Sequence, residues 1–191
     1  MLAIEPDQDH SPDTYYISRC LQGDPHGFSH LYRRHAQKVR STLYQLCGAD
    51  GLDDLVQEVF LRAWKGLKNF RQTAQFSTWL YRIAWNVACD RRRVLAKNRS
   101  QHIHLEDDSQ IENLATTPAM ISQMHYQDLV HRGLDQLSEE HRVVLILHDL
   151  EELPQKQVAE ILQIPIGTVK SRIFHARGAM RRYLESQGIE L

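Results

Sequence analysis

Apolar residues recur every three or four positions along most of the chain, which is the spacing of amphipathic α-helices. Stretches with this spacing predict helices at about 13–21, from Pro25 to about Gly48, and at about 77–93. The most regular run predicts a helix at about 51–67, with one apolar face made of Leu52, Leu55, Val56, Val59, Phe60, Ala63 and Trp64. The alternation typical of strands does not occur, so the sequence predicts an all-α fold.

The helical spacing stops between about 94 and 127, where the chain is acidic and Thr116-Thr117-Pro118 would break a helix. It returns from about Leu129, and the nearly continuous apolar run Val143–Leu147 predicts a second core. We therefore expect two small helical domains joined by an acidic linker. The expected division is a flexible tail at 1–12, a first domain at 13–96, the linker at 97–126 and a second domain at 127–188.

Two short helices joined by a tight turn are predicted within Leu153–Arg182. Pro165 marks the turn, because a proline pushes the residue before it out of the α region. The second helix begins near Gly167, with apolar positions behind and a basic face in front. This layout is typical of a DNA recognition helix. A solvated basic face on an ordinary helical pair is the alternative.

Charge is segregated along the chain although the net charge is only −1. The stretch 82–99 holds six Lys and Arg residues against one acid, and 166–182 holds five cations and no acid. Between them, 104–128 holds five acids and no Lys or Arg. Two basic stretches separated by an acidic connector indicate two contacts on one polyanion.

The helix at 77–93 carries a further candidate nucleic-acid surface. Its predicted buried side includes Trp79, and its opposite side is expected to expose Tyr81, Arg82, Trp85, Asn86 and Cys89. An exposed tryptophan between arginines, beside the aromatic loop 69–76, fits a surface that stacks the bases of a single strand. A position for Trp85 in the core is the competing interpretation.

The residue types that carry catalysis or bind metals are not arranged for either. The three cysteines are far apart and odd in number, so we expect core residues and not disulfides. Eleven histidines include no HExxH motif and no Cys/His ligand spacing, so we expect no metal, no cofactor and no enzyme. Without a signal peptide or a long apolar run, we expect a cytoplasmic protein that does not insert into a membrane.

Two long stretches resemble extracytoplasmic-function (group IV) sigma factors of the sigma-70 family. DDLVQEVFLRAW (Asp53–Trp64) followed by FSTWLYRIAWNVACDRRR (Phe76–Arg93) is similar to their region 2, and Leu137–Leu184 is similar to their region 4. The resemblance covers roughly 28–93 and 129–184. It implies a subunit that directs core RNA polymerase to promoters.

The resemblance implies three binding surfaces. Region 2 would bind the β′ clamp helices of core RNA polymerase through Asp54, Leu55, Gln57, Glu58 and Arg62. It would capture and melt the −10 element of promoter DNA through Phe70, Phe76, Arg82, Trp85 and Asn86. Region 4, which would also contact the β flap, would bind the −35 element through Thr168, Lys170, Ser171, Arg172, Phe174, His175 and Arg177.

Two positions depart from the family pattern, and two alternatives remain beside it. Pro154 stands where relatives often have Ser or Thr, and Gln163 stands where they often have Gly, so both concern turn geometry. A stand-alone helix-turn-helix regulator would explain 153–182 but not Trp85, Asn86 and the arginine run after them. Many relatives are held inactive by an anti-sigma factor, and the sequence neither identifies nor excludes such a partner.

Overall fold

The computed structural model describes residues 12–71, 74–101 and 128–189, and these ranges are helical with no strand. The first domain contains α1 (Asp13–Leu21), α2 (His26–Cys47), α3 (Leu52–Gly66), a 3₁₀ turn (Leu67–Asn69) and α4 (Phe76–Gln101). The second contains α5 (128–135), α6 (Glu139–Leu145), a π-helical turn (Ile146–Leu150), α7 (Gln155–Leu162) and α8 (Ile166–Ser186). The predicted all-α, two-domain fold is confirmed. The expected tail lies almost wholly outside the described residues, as does the expected linker beyond Gln101.

The first domain is a bundle in which α2 packs against α1, α3 and α4. The apolar stripe of α3 fills the centre, and Val59 and Ala63 are fully buried. Trp64 was predicted to lie on this buried stripe, but it is 42% exposed. At 3.6 residues per turn, position 64 falls about 110° from the centre of the stripe, so it lies at its edge. The Trp64 ring packs there against Phe28, with centroids 5.0 Å apart.

The first turn and the end of α4 differ from the predicted helix. The predicted end at about Arg93 is wrong, because α4 continues to Gln101 through a segment that contains no Gly or Pro. Ser77 was also expected at the helix start, but α4 begins one residue earlier. The carbonyl of Gln75 accepts the first helical hydrogen bond, from Trp79 N–H at 3.2 Å.

The second domain is built around α8, against which α6 and α7 pack. In the turn between α7 and α8, Gln163 has a positive φ of 56°, at the position where relatives often have Gly. At the end of α6, the π-helical turn closes with a hydrogen bond from Glu151 N–H to Ile146 O of 2.9 Å. This wider turn inserts one extra residue into the helix, so the side chains at its end are rotated from their α-helical directions.

The two domains are in contact with each other. Helix α7 packs against α4, and the π-helical turn packs against α2. The buried apolar residues of both domains form one contiguous cluster. The interface is therefore part of the packed interior.

Gly27 allows α1 and α2 to approach closely. A Cβ on Gly27 would lie 2.8 Å from the carbonyl oxygen of Tyr16 and 3.0 Å from Cys20 Sγ. Because a backbone atom must move, we expect Gly27→Ala to lower the free energy of unfolding by about 1–3 kcal/mol in chemical denaturation. Gly178→Ala is the control, since its Cβ would meet only Arg182 Nη1 at 3.7 Å. Equal stability of the two variants would contradict the assigned packing role.

Candidate polymerase and nucleic-acid interfaces

The outer face of α3 presents most of the residues expected to bind polymerase. Asp54 and Gln57 are exposed, and Glu58 is half-buried. Arg62 bonds Glu58 Oε1 at 2.7 Å and Asp90 Oδ2 at 2.8 Å, which ties this face of α3 to α4. Leu55 does not lie on the outer face: it is only 9% exposed and packs in the core, as its place in the apolar stripe requires.

Two large apolar residues on α3 are exposed that the sequence analysis did not assign to this surface. Leu61 is 51% exposed and Trp64 is 42% exposed. Leu61 lies one turn after Gln57 and Glu58, on the same outer side. The face therefore places exposed apolar side chains beside charged groups, as in a protein interface whose apolar centre has a polar rim.

Two of the five residues expected at the −10 element, Phe70 and Arg82, line a cleft at the start of α4. The cleft has a volume of about 400 Å³ and is lined by Asn69, Phe70, Arg71, Ala74, Thr78, Trp79, Arg82 and Glu160. The rings of Phe70 and Trp79 lie 5.0 Å apart, beside the exposed Arg82. Trp79 was predicted to be buried, but it is half-buried and forms one wall. Its position three residues before Arg82 is the signal that could have placed it there.

Phe76 does not line this cleft. Its ring is 4% exposed and packs 5.9 Å from Phe70, 5.7 Å from Trp79 and 5.4 Å from His35, centroid to centroid. An open ring is needed for base stacking, so Phe76 acts here as a support under Phe70 and Trp79. A direct contact between Phe76 and DNA stays a prediction.

The exposed side of α4 continues one turn beyond Arg82. Asn86 is exposed. Trp85 is half-buried against the core, so its position is intermediate between the exposed stacking surface and the core position that the sequence left open. Tyr81 was expected on the exposed side, but it is 6% exposed. Its hydroxyl donates a hydrogen bond of 2.9 Å to Glu151 Oε2 of the second domain. A contact between domains, which local periodicity does not report, buries this residue.

Helix α8 has the two-sided character predicted for a recognition helix. Its inner side is buried through Val169, Ile173 and Ala176. Its outer side exposes Lys170, Ser171, Phe174 and His175, while Thr168 near its start is half-buried. Phe174 is 75% exposed, which is unusual for a phenylalanine unless a partner covers it.

Two of the expected DNA-binding arginines pair with acids of their own domain. Arg172 Nη2 donates to Glu140 Oε2 at 2.6 Å. Arg177 bonds both carboxylate oxygens of Asp149, at 2.9 and 2.6 Å, and these hydrogen bonds raise the pKa of Arg177. The basic face is therefore partly neutralised in this arrangement, because both arginines are paired with acids.

A shallow apolar groove lies on another side of the second domain. It has a volume of about 270 Å³ and is lined by Val130, Leu134, Leu145, Asp149, Leu150, Arg177, Met180, Arg181 and Leu184. Leu150 is 45% exposed. Apart from Arg177, no residue of this groove was assigned by the sequence analysis. The one local feature of the sequence that could have indicated the groove is Leu150, an apolar residue just past the buried run Val143–Leu147.

Neither a metal cluster nor a membrane span is found in the described ranges. No group of three or more His, Cys, Asp and Glu side chains there is placed to hold a metal ion. None of the described helices is both long enough and apolar enough to span a membrane.

Comparison with known proteins identifies the family of the chain. The family models for Sigma-70 region 2 and for Sigma-70, region 4 match residues 31–98 and 127–180. The ECF RNA polymerase sigma-E factor of Escherichia coli strain K12 is 33% identical over 181 residues, covering 88% of this chain and 92% of the relative. The chain belongs to the extracytoplasmic-function group of sigma-70 family sigma factors.

Other sigma factors share both domains. The RNA polymerase sigma-H factor of Pseudomonas aeruginosa is 31% identical, covering 91% of this chain and 94% of the relative. RpoE from Bartonella quintana, solved with the anti-sigma factor NepR, has 26% identity and a TM-score of 0.67, covering 83% of this chain and 96% of that one. CnrH, solved with the cytosolic domain of CnrY, matches the fold at 22% identity and a TM-score of 0.69, covering 91% and 97%.

Membership of this group establishes the broad function. The protein is an RNA polymerase sigma factor, a non-enzymatic initiation factor whose partners are core RNA polymerase and promoter DNA. A stand-alone helix-turn-helix regulator is not favoured, because the similarity extends through the first domain as well as the second.

Proposed function

We propose that this sigma factor opens promoters by holding one strand of the −10 element along α4 while α8 reads the −35 element. The observation that carries the proposal is the cleft in which Phe70, Trp79 and Arg82 converge. Aromatic rings stack on bases of any sequence, and an arginine beside them attracts the phosphate backbone. This combination suits a separated strand better than an intact duplex.

Melting requires that bases taken out of the stack are held afterwards. Removing a base from the duplex costs a few kcal/mol, which stacking and hydrogen bonds to the base edge must offset. The rings of Phe70 and Trp79 supply the stacking. The exposed amide of Asn86, one turn beyond Arg82, can both donate to and accept from a base edge.

At the −35 element, the outer side of α8 would enter the major groove. Lys170 and Arg172 are suited to guanine edges, and Ser171 and His175 to other base or phosphate contacts. Arg177, near the middle of the helix, would reach a phosphate after leaving Asp149. This domain would anchor the duplex, while the first domain separates the strands.

Core polymerase would be bound at two places. The α3 face, with Asp54, Gln57, Leu61 and Trp64, would contact the β′ clamp helices. The apolar groove containing Leu150 would receive an apolar segment of the β flap. Both surfaces expose apolar side chains to water. Burial of these side chains by a partner is favourable, so it stabilises the complex.

An anti-sigma factor is a further proposed partner. NepR is bound to RpoE of Bartonella quintana, a structural neighbour of this chain. An inhibitor of this protein would have to cover the α3 face or the region 4 groove in order to exclude polymerase. Co-purification of the chain from its host at low salt, followed by mass spectrometry, would identify it.

The decisive experiment is run-off transcription by core polymerase and this chain on a library of promoters. The proposal expects transcripts only when the chain is present, from promoters that share two elements at a fixed spacing. Tight binding of the free chain to palindromic DNA, without polymerase-dependent transcripts, would instead identify a stand-alone regulator.

Leu61→Ala is expected to weaken binding to core polymerase about tenfold. Only a minority of interface residues cost more than about 1 kcal/mol when truncated, and these lie near the centre of the interface, so a loss of about this size follows if the clamp covers Leu61 there. A competition assay against a labelled sigma factor measures it. Leu21→Ala is the matched control, because Leu21 is 48% exposed on α1, away from this face. Equal affinities of the two variants would remove Leu61 from the interface.

A further inference from the structure

A larger cavity lies where the end of α2 and the C-terminal part of α4 face α5 and α6. Its volume of about 750 Å³ falls within the range of about 300–1,000 Å³ that small-molecule sites occupy. It shares no residue with the α3 face, the −10 cleft or the outer side of α8. Four lining residues are basic, and Asp135 is the one acid in the described part of its wall. The basic residues of this interdomain cavity are Arg91, Arg92, His131 and Arg142.

The three arginines of the interdomain cavity are brought together with too little negative charge. Three guanidinium groups against the carboxylate of Asp135 leave a formal surplus of two positive charges in the lining. Burial, and next the charge of Arg92, lower the pKa of Arg142, because the two guanidinium groups repel each other. An anion inside the cavity would offset this repulsion.

The acids that reach these arginines from outside the cavity hold them only weakly. Arg91 Nη2 pairs with Asp50 Oδ2 at 2.5 Å, but the Asp50 side chain is 85% exposed, and water screens such a pair. Arg92 Nη1 is 3.5 Å from Glu139 Oε1, which is longer than an ordinary hydrogen bond. Both arginines can therefore turn towards a ligand at little cost.

Two buried nitrogen atoms of the lining have no hydrogen-bond partner in the described ranges. They are Nε of Arg142 and Nδ1 of His131. The other nitrogens of Arg142 bond Asp135, Nη1 to its Oδ1 at 2.9 Å and Nη2 to its carbonyl oxygen at 3.0 Å. The Nε–H of an arginine is always a donor, and a histidine Nδ1 donates in one neutral tautomer and when protonated. A buried donor without an acceptor is unfavourable, so a ligand that accepts from these groups would be stabilised.

We infer that the interdomain cavity binds a phosphate-bearing small molecule, with its phosphate held among Arg91, Arg92 and Arg142. A phosphate monoester carries about 1.5–2 negative charges near pH 7 and presents three acceptor oxygens, so it matches the surplus charge of the lining. The planar fork of an arginine binds such an anion through two hydrogen bonds at once. Leu46 and Leu95 line another part of the cavity and would contact the carbon skeleton of an ester.

Isothermal titration calorimetry of the full-length chain with phenyl phosphate, at constant ionic strength, tests the site. We expect saturable binding that Arg91→Gln weakens about tenfold, because the variant loses a charge-assisted hydrogen bond. Arg93→Gln is the matched control on the same helix, since Arg93 is 77% exposed, pairs with Asp90 at 2.9 Å and does not line the cavity. Its affinity for phenyl phosphate should equal that of the wild type.

Cys47 lines the cavity and reports where the phosphate binds. Burial raises the pKa of the Cys47 thiol, so its alkylation is slow. A dianion beside the thiol raises this pKa further and blocks the approach of a reagent. Phenyl phosphate should therefore slow the alkylation of Cys47 by iodoacetamide about fivefold, as mapped by mass spectrometry. Cys20 is buried beside α2 within the first domain, and its rate should not change.

Inorganic phosphate and phenol separate the two parts of the ligand. Tighter binding of phenyl phosphate than of inorganic phosphate would identify an organic ester, and equal binding would identify free phosphate in the same site. Phenol alone should not bind, because it has no charge to offer the arginines.

Four results would overturn the inference. One is the absence of saturable binding by either phosphate. Another is equal affinity of the wild type and Arg91→Gln, and a third is binding without protection of Cys47, since each would place the phosphate on another basic surface. The last is binding that appears only in the variant Glu106→Gln/Asp107→Asn/Asp108→Asn, because the acidic segment of the chain itself would then be the occupant.

Discussion

Asn86→Ala is expected to reduce promoter opening by about 10- to 100-fold while affinity for core polymerase stays within twofold. Hydrogen bonds to a base edge are worth roughly 1–3 kcal/mol, and alanine removes both the donor and the acceptor. The side chain is exposed on α4, on the side of Arg82, so the substitution should disturb little packing. Permanganate reactivity of thymines in the −10 element measures the opened fraction.

Two controls separate opening from assembly. Gln37→Ala removes an exposed amide of α2, away from the proposed surfaces, and should leave opening unchanged. Leu61→Ala should reduce opening only until polymerase is saturated with sigma factor. A permanganate footprint of full strength from Asn86→Ala would show that this amide holds no base.

Arg172→Ala is expected to lower −35-dependent transcription about tenfold, whereas Glu140→Ala should raise affinity for −35 duplex DNA severalfold. Arg172 is held by Glu140 at 2.6 Å, so it must leave this acid to reach DNA. A pair at the surface is worth only about 0–1 kcal/mol, so the exchange costs little and removing the acid favours it. Fluorescence anisotropy with a labelled duplex at two salt concentrations measures both effects.

The salt dependence also identifies the kind of contact. A lost phosphate contact should reduce the slope of log affinity against log salt by about one, whereas a lost guanine contact should relax specificity at one base pair. Arg132→Ala is the matched control, since Arg132 pairs with Asp128 on α5 and is 60% exposed. If Arg172→Ala and Glu140→Ala weakened DNA binding equally, the pair would be a structural tie and not a competitor of DNA.

Features that depend on local periodicity could be predicted from the sequence. The apolar stripes of α2, α3 and α8 place the helices and their buried sides, because burial of one side leaves a regular 3.6-residue pattern. Gln163 stands where relatives often have Gly, and its φ of 56° is the left-handed conformation that a Gly would adopt without strain. The same spacing predicts the basic outer side of α8, because the Lys and Arg residues occupy the positions between the apolar ones.

Features that depend on contacts between distant segments could not be predicted. Tyr81 has the helical position of an exposed residue and is buried only because Glu151, 70 residues away, reaches it. Arg172 belongs to the basic side of α8, yet its partner Glu140 is 32 residues earlier. Leu61 and Leu55 are the same residue type on one helix, and only the assembled bundle shows which of them a partner can reach.

The π-helical turn sets the directions of two acids that contact different parts of the molecule. Asp149 and Glu151 are two positions apart, and on opposite sides of this turn they hold Arg177 of the recognition helix and the hydroxyls of the first domain. Deleting one residue between Ile146 and Leu150 would restore an ordinary α-helical turn and rotate both acids by about 100°. A single-codon deletion would then separate Arg177 from Asp149 and Glu151 from the first domain at the same time.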